Sequence, residues 1–235
     1  MEIDSSYNAG MFEKEASALL DNLFQKEDKV ILCGGTGLYI KALLQGMDEL
    51  PAADENIRNQ VQSFYNQEGL EGLQKRVQEI DPDYYAQADI NNPRRLMRAL
   101  EVFLISGTAY SYLREKKSVE RSFSVREICL IPDRSVLYER INSRVDRMMA
   151  EGLLEETLQL QKYRHTQAMD TVGYKELFTY LDGNISLESA VELIKQHTRN
   201  FAKRQMTWFR KESLDYQLDP MDKNAIRNFI KSFNL

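Results

Sequence analysis

Residues 29–46 read Lys-Val-Ile-Leu-Cys-Gly-Gly-Thr-Gly-Leu-Tyr-Ile-Lys-Ala-Leu-Leu-Gln-Gly. The apolar run Val30–Cys33 predicts a strand covered on both faces, as in a parallel sheet. The three glycines permit a sharp turn, and Thr36 is a natural N-cap for the amphipathic helix that follows. Because the start of a helix favours anions, the stretch predicts an α/β phosphate site. A plain strand-to-helix connection is an equal alternative, because the spacing matches neither G-x-G-x-x-G nor G-x-x-x-x-G-K-[ST].

The overall composition predicts a soluble chain in a reducing compartment. A hydrophobic fraction of 43% and a mean hydropathy of -0.51 are ordinary for a globular protein. No apolar run approaches the roughly 20 residues that span a bilayer, and the acidic N-terminus does not resemble a signal peptide. Cys33 and Cys129 both lie in predicted strands, so we expect buried free thiols and a cytoplasmic location.

The charge distribution is uneven along the chain. The net charge is -5, yet residues 1–90 carry 17 acids and 7 bases while residues 91–147 carry 7 acids and 12 bases. A polyanion would therefore meet a local basic surface and not a basic protein. The pattern disfavours general DNA binding and permits one RNA footprint.

Helical periodicity dominates the rest of the chain, and residues 127–131 predict a second strand. The predicted helices span residues 11–25, 54–66, 70–80, 92–106, 135–150, 153–163, 174–181, 187–211 and 222–233, and a further helix begins at about Leu38 after the glycine turn. Two buried strands cannot form a stable parallel sheet by themselves. We therefore predict a predominantly helical α/β protein with a partial parallel-sheet core, whose remaining strands precede Met1.

Three arginines crowd the start of the predicted helix in Asn91–Phe103, at positions 94, 95 and 98. The helix dipole disfavours cations there by a few tenths of a kcal/mol each. An anionic ligand would offset that cost, and a guanidinium group is well shaped to bind phosphate. Neutralisation by neighbouring acids is the alternative.

A second basic segment, Arg199–Lys211, contains five bases, three aromatic residues and no acid. Bases interleaved with aromatic rings suit single-stranded RNA, whose bases stack on rings while its phosphates meet cations. The alternative is that Trp208 and Phe209 belong to the core and that the helix dipole favours the cations.

Five segments, in order along almost the whole chain, together resemble the tRNA dimethylallyltransferase (tRNA isopentenyltransferase) family. They are Gly34–Tyr39, Leu50-Pro51 with Arg58 shortly after, Asn92–Glu101, Val172–Lys175 and Lys203–Arg210. The resemblance implies a P-loop-kinase-like core with a helical insertion: residues 1–50 and 123–235 would belong to the core, the latter with the long basic helix, and residues 51–122 to a tRNA-binding insertion.

The activity that the resemblance implies is transfer of a dimethylallyl group from dimethylallyl diphosphate to N6 of adenosine 37, in tRNAs that read codons beginning with U. The resemblance also implies that Mg²⁺ takes part and that the anticodon stem-loop of tRNA is the partner, and we expect a monomer with no membrane association. A neutral exocyclic amine is a poor nucleophile, so the reaction needs a base, stabilisation of the departing pyrophosphate and exclusion of water. Extrusion of the base from the RNA delivers the amine.

The resemblance also assigns roles to matching residues. Thr36 would lie beside the reacting adenine as a catalytic and tRNA-binding residue. The other residues implied to bind tRNA are Arg58, Arg94, Arg95, Leu96, Met97, Arg98, Gly173, Tyr174, Lys175, Lys203, Arg204, Gln205, Met206, Thr207, Trp208, Phe209 and Arg210. For Tyr174 a packing role is an equal alternative. Arg140 and Arg144 would contact the diphosphate or form surface ion pairs, and the isolated His165 and His197 do not support metal binding.

The family's phosphate loop, G-[PA]-T-[AG]-[ST]-G-K-[ST], has no match in this sequence. We expect that loop and the catalytic aspartate to precede Met1, so that this polypeptide alone is inactive. Two rival functions are prenylation of free nucleotides, as in adenylate isopentenyltransferase, and non-catalytic binding of the tRNA anticodon arm. The helical insertion and the three-arginine cluster favour a large RNA substrate over a free nucleotide.

Overall fold

The computed structural model describes residues 3–5, 7–114, 119–212 and 216–232. Within these ranges the chain is mostly helical, as predicted. The helices are α1 (Ala9–Leu23), α2 (Gly37–Gln45), α3 (Glu55–Ile80), α4 (Pro82–Gln87), α5 (Pro93–Ser106), α6 (Tyr110–Leu113), α7 (Arg134–Ala150), α8 (Leu153–Gln159), α9 (Tyr174–Leu181), α10 (Leu187–Phe209) and α11 (Lys223–Ser232). None of these described helices combines the length and the apolar character that crossing a bilayer requires.

The chain divides into two compact units. Unit 1 consists of Met1–Leu44 and Arg121–Leu235, and unit 2 is Gln45–Glu120. Unit 2 is built from α3 to α6, and unit 1 contains the other helices and both strands. The functional roles assigned to these segments from the sequence stay predictions.

Unit 2 is held together by α3 packed against α5. Val61, Leu73 and Val77 of α3 and Leu96 and Leu100 of α5 are at most 4% exposed. Burial of a side chain of this size stabilises the fold by about 1.5 to 3 kcal/mol. This apolar seam fixes the direction of α5, whose first turns carry the three arginines.

The ends of these helices follow their local sequence. The Asp54 carboxylate accepts a hydrogen bond from the N–H of Ile57 at 3.0 Å and caps α3. Gly69, at φ 67° and ψ -163°, divides α3 into the two predicted helices. Gly107, at φ 68°, ends α5 in the left-handed conformation that glycine adopts at little cost.

A buried carboxylate, Asp81, organises the remaining part of unit 2. Its side chain accepts hydrogen bonds from the Tyr84 N–H at 3.0 Å, the Ser111 N–H at 2.7 Å and the Ser111 hydroxyl at 2.6 Å. Asp81 therefore ends α3, caps α4 and fixes the start of α6. The sequence predicted only the helix stop at Asp81-Pro82, because one turn of α4 is too short to show periodicity.

Unit 1 is centred on α10, which packs against α7 and α9. Val145 of α7, Leu177 of α9, and Ala190 and Ile194 of α10 are at most 2% exposed. These contacts involve the first half of α10. The second half, which contains most of the basic segment Arg199–Lys211, carries no residue in the buried core.

The two strands, β1 (Ile128–Leu130) and β2 (Tyr216–Leu218), form a parallel pair in which Cys129 lies opposite Gln217. The predicted strand at Val30–Cys33 is wrong for the described chain, where this run belongs to neither strand, and Ile31 is 79% exposed. An extended apolar run becomes a strand only when a neighbour accepts its backbone hydrogen bonds. Cys33 is consequently an exposed thiol, contrary to prediction, whereas Cys129 is buried and free as predicted.

Other helix bounds match the predictions to within a few residues. The exceptions are instructive: the helix predicted for residues 153–163 ends at Gln159 and continues as the 3-10 turn Gln161–Tyr163. A second such turn, Gln167–Met169, and strand β2 were not predicted. The predicted end of the last helix at Phe233 lies outside the described residues.

Candidate nucleic-acid interface

The glycine turn, Gly34–Gly37, lies against the basic segment of α10. The side-chain amide of Gln205 donates a hydrogen bond to the carbonyl oxygen of Gly35 at 2.7 Å. The indole of Trp208 lies directly over Gly37. The fold thus joins two motifs that are about 170 residues apart along the chain.

Close approach explains why two positions of the turn are glycine. A Cβ on residue 37 would lie 2.2 Å from Nε1 of Trp208, and a Cβ on residue 35 would lie 2.9 Å from Nε2 of Gln205. Both distances are below van der Waals contact. A Cβ on Gly34 would meet no atom within 4 Å, so the requirement is specific to residues 35 and 37.

Thr36 sits at the centre of this arrangement and is exposed. Its carbonyl oxygen accepts hydrogen bonds from the N–H groups of Tyr39 and Ile40, at 2.9 and 3.2 Å, and so begins α2. An ion pair of 3.3 Å between Lys41 and Glu212 ties α2 to the residues that follow α10. The turn, the start of α2 and the end of α10 therefore form one exposed polar surface around Thr36.

The basic segment leaves its cations open to solvent. Lys203, Arg204 and Arg210 are exposed, and within the described part of the chain none of them forms an ion pair. The Arg204 guanidinium lies 5.6 Å from the ring centre of Phe201. Phe201 and Trp208 are both substantially exposed, at 46% and 38%, so aromatic burial accounts for only part of this segment.

Other members of the segment have structural partners. Arg199 donates a hydrogen bond to the Asn142 side chain at 2.6 Å and thereby joins α10 to α7. The Thr207 hydroxyl donates to the Lys203 carbonyl at 2.9 Å. Met206 and Phe209 are half-buried. The cations of this segment with the least structural explanation are therefore Lys203, Arg204, Arg210 and Lys211, because all four are exposed and form no ion pair among the described residues.

The arginine cluster of unit 2 separates into two kinds of residue. Arg94 and Arg95 are exposed, and no acid pairs with them among the described residues. Arg98 instead contacts the Glu101 carboxylate at 3.2 Å and donates to the Pro51 carbonyl at 3.0 Å. Neutralisation by acids, the alternative raised from the sequence, thus applies to Arg98 alone.

The remaining predicted residues of unit 2 differ in accessibility. Leu96 is 0% exposed and Met97 packs against the same core, so both lie on the side of α5 that faces the core of unit 2. Arg58 is exposed near the start of α3. The first turn of α5 contains no acidic residue, and the Asn92 side chain does not cap it.

The turn Val172–Lys175 is held by carboxylates. The Tyr174 hydroxyl donates to Glu156 at 2.8 Å, and burial together with this carboxylate raises the pKa of Tyr174 to about 12. Lys175 pairs with Asp170 at 2.7 Å. Tyr174 therefore has a clear packing role, which was one of the two alternatives raised from the sequence.

Glu176, beside this turn, was not identified from the sequence, and His197 was noted there only as an isolated residue. Glu176 is 4% exposed and accepts a hydrogen bond from the Gly173 N–H at 2.8 Å. Its other oxygen lies 2.6 Å from Nδ1 of His197. The bond from the Gly173 N–H to Glu176 at the third helical position is one half of a capping box, and glycine has no side chain to supply the other half, so the usual Ser/Thr-x-x-Glu pattern was absent from the sequence. No local pattern could have indicated the contact with His197.

Arg140 and Arg144 lie one turn apart on α7 and are exposed. Arg140 is 4.0 Å from the sulfur of Met221, and neither arginine pairs with an acid in the described ranges. Those ranges also contain no group of three His, Cys, Asp or Glu side chains that could hold a metal ion. The use of Mg²⁺ stays a prediction.

Comparison with known proteins gives a consistent result. The family described as IPPT, IPP transferase, matches residues 1–212. A tRNA dimethylallyltransferase of Christiangramia forsetii is 43% identical over 234 residues, covering 99% of this chain and 77% of the relative. The tRNA dimethylallyltransferase 1 of Bacteroides thetaiotaomicron is 40% identical over 235 residues, covering 100% of this chain and 76% of that relative.

Solved structures show the same likeness. A full-length tRNA isopentenylpyrophosphate transferase from Bacillus halodurans superposes with a TM-score of 0.65 at 33% identity, covering 99% of this chain and 75% of that structure. A eukaryotic dimethylallyltransferase acting on tRNA gives a TM-score of 0.78 at 22% identity, covering 100% of this chain and 63% of that one. The second comparison establishes a shared fold.

Proposed function

The chain belongs to the IPP transferase family, and we propose that it forms the RNA-binding part of a tRNA dimethylallyltransferase. The observation that carries the proposal is the contact between the glycine turn and α10, which brings Gln205 and Trp208 against the turn that contains the exposed Thr36. The same end of α10 also carries Lys203, Arg204 and Arg210, which are exposed and form no ion pair among the described residues. Such a surface suits an RNA loop, because phosphates meet cations while an exposed base stacks on a ring.

The reaction that we propose for the complete enzyme is an alkyl transfer to a tRNA adenine. The N6 nitrogen of adenosine 37 forms a bond to C1 of the dimethylallyl group, the bond from C1 to the diphosphate oxygen breaks, and the amine releases one proton to a base. Thr36, beside the extruded adenine, would hold the amine in place. Arg140 and Arg144 remain our candidates for contact with the departing diphosphate.

In unit 2, we assign RNA phosphate contact to Arg94 and Arg95, with Arg58 as a further candidate. The assignment rests on exposed guanidinium groups at a helix start, where the dipole disfavours cations and no described acid compensates. Arg98 acts through its contacts with Glu101 and Pro51, and so positions the start of α5.

We also infer that this polypeptide, assayed alone, binds RNA but does not transfer the prenyl group. Its sequence contains no G-x-x-x-x-G-K-[ST] loop, and its described residues form no candidate metal site. Mg²⁺ would contribute charge stabilisation of the leaving group in the complete enzyme. Incubation with tRNA, Mg²⁺ and labelled dimethylallyl diphosphate should leave the RNA unlabelled, and efficient labelling would overturn the inference.

A binding measurement tests the proposal itself. An anticodon stem-loop with adenines at positions 36 and 37 should bind more tightly than a stem-loop of the same length with uridines there, and far more tightly than free AMP. Preference for AMP would favour a nucleotide prenyltransferase instead. Because the contacts are to phosphates, log Kd should change linearly with the logarithm of the salt concentration.

A further inference from the structure

A buried carboxylate links the turn Val172–Lys175 to α10. Glu176 is 4% exposed, and both of its oxygens are used. Oε2 accepts from the Gly173 N–H at 2.8 Å, while Oε1 lies 2.6 Å from Nδ1 of His197, 21 residues further along the chain. Because a buried carboxylate oxygen without a partner is costly, His197 and Gly173 both contribute to holding Glu176 in this position.

The turn needs such a partner, because its backbone is unusual. Gly173 has φ 113° and ψ -70°, a conformation that residues with a Cβ rarely adopt. The N–H group of this residue donates to Glu176 and is buried with it. The Glu176 carboxylate therefore fixes the conformation of the turn, which in turn places Tyr174 and Lys175.

His197 connects this turn to the proposed RNA surface. It lies on α10, and Asn200, Phe201 and Arg204 follow it at spacings of three, four and seven residues, which places all four on one helix face. Among the described residues, the contact between Glu176 and His197 is the hydrogen bond that joins the turn to α10. The other polar contacts of the turn lead to Glu156 and Asp170, away from α10.

We propose that Glu176 and His197 are positioning residues that hold the Val172–Lys175 turn against the face of α10 that carries Phe201 and Arg204, so that an RNA strand meets both as one preformed surface. The inference rests on the proposed function, because it assumes that this face of α10 contacts RNA. The imidazole acts through its Nδ1–H, which donates to the carboxylate. Its side chain is 44% exposed, so its role is not burial of apolar surface.

Two substitutions separate the hydrogen bond from the ring. His197→Phe keeps a ring of similar size but has no donor, whereas His197→Asn places an amide N–H near the position of Nδ1. His165→Ala is the matched control, because His165 is exposed and has no partner within the described ranges. Should His197→Phe fail to fold, as judged by circular dichroism, His197→Ala replaces it.

The rate of amide hydrogen exchange at Gly173 reports, directly and without RNA, whether Glu176 and His197 hold the turn in place. We expect His197→Phe to accelerate exchange of this amide by about tenfold, as for loss of a charged hydrogen bond, and His197→Asn to stay within about twofold of wild type. Binding of the anticodon stem-loop should follow the same order, with about fivefold weakening for His197→Phe. His165→Ala should change neither quantity.

The two readouts also separate the possible failures. Unchanged Gly173 exchange in His197→Phe, or equal acceleration in His197→Phe and His197→Asn, would overturn the inference. A variant with accelerated Gly173 exchange but wild-type affinity for the stem-loop would also overturn the inference, because the contact between Glu176 and His197 would then not contribute to RNA binding. If wild type does not bind the stem-loop, the proposed function is wrong, and the part of the inference that concerns RNA falls with it.

Discussion

The two arginine-rich helices of this protein differ in how their cations are explained. In α10 the bases lie in the second half of the helix, where the helix dipole does not oppose them, and Arg210 is the C-cap residue. In α5 they lie in the first turns, where the dipole disfavours them and no acidic residue is present. Arg98 is compensated by Glu101 and by the Pro51 carbonyl, whereas Arg94 and Arg95 are not compensated within the described residues.

The difference teaches that a count of basic residues is a poor guide to a binding surface. Along α10, Arg199 is used to join two helices, and Gln205 and Trp208 hold the glycine turn. Along α5, one arginine of three is part of the architecture. A cation is best assigned to a ligand when its position costs free energy and no neighbour offsets the cost.

The largest change in stability is expected for a substitution where α10 contacts the glycine turn. Gly37→Ala places a methyl group 2.2 Å from the Trp208 indole, so we expect overpacking to lower the free energy of unfolding by about 1 to 3 kcal/mol. Gly34→Ala, in open space, is the matched control and should be neutral. Urea unfolding followed by fluorescence of the single tryptophan measures both. Equal stabilities would show that the indole does not rest on this turn.

The next largest effect is expected for Arg94 and Arg95 of α5, whose charges no described acid compensates. Replacing Arg94 and Arg95 together by alanine should weaken stem-loop binding about tenfold and reduce the salt slope by about 0.7 to 0.9 for each phosphate that is no longer neutralised. Arg76→Ala is the control, because Arg76 is exposed in the same unit but pairs with Glu79 at 3.3 Å. A slope identical to that of wild type would contradict the assignment. Filter binding at several salt concentrations gives the slope.

Arg98, which Glu101 and the Pro51 carbonyl compensate, should contribute to stability and not to the salt dependence of RNA binding. Arg98→Ala removes the hydrogen bonds to Glu101 and the Pro51 carbonyl, so we expect the stability to fall by about 1 kcal/mol. The salt slope of RNA binding should stay unchanged. Thermal unfolding and the same filter-binding series measure the two quantities. A reduced slope in a stably folded Arg98→Ala would show that this residue contacts phosphate directly.

The smallest effect concerns the turn beside α9. Tyr174 has its pKa raised to about 12 by burial and by Glu156. Because the folded-state pKa lies above the unfolded value, the neutral phenol contributes stability that is complete below about pH 10 and is lost as the pH rises through about 12. Tyr174→Phe should cost about 0.5 kcal/mol near neutral pH.

Alkaline titration of tyrosine absorbance checks this assignment. The difference between wild type and Tyr174→Phe should be one phenol that ionises near pH 12. Tyr112→Phe, which alters an exposed tyrosine, is the control and should leave the ionisation near pH 12 in place. A difference spectrum centred near pH 10, the ordinary range of a tyrosine, would contradict the buried hydrogen bond between Tyr174 and Glu156.

Much of the secondary structure followed from local chemistry. The N-cap at Asp54 and the C-terminal glycine at Gly107 act through their own backbone neighbours, and the structure confirms both. The predicted strand at Val30–Cys33 failed because strand formation depends on a partner that local sequence does not supply. Strand β2 escaped prediction for the same reason, since three residues become a strand only beside β1.

The candidate site shows the same division between features that local sequence determines and contacts that depend on the tertiary structure. Sequence patterns alone determined which residues are unusual: the glycine turn, the arginines at a helix start and the basic segment with its aromatic residues. Tertiary structure alone decided that Gln205 and Trp208 hold that turn, that Arg98 is compensated, and that Glu176 meets His197. Helix caps and periodicity act over a few residues, whereas these contacts join residues brought together only when the helices pack.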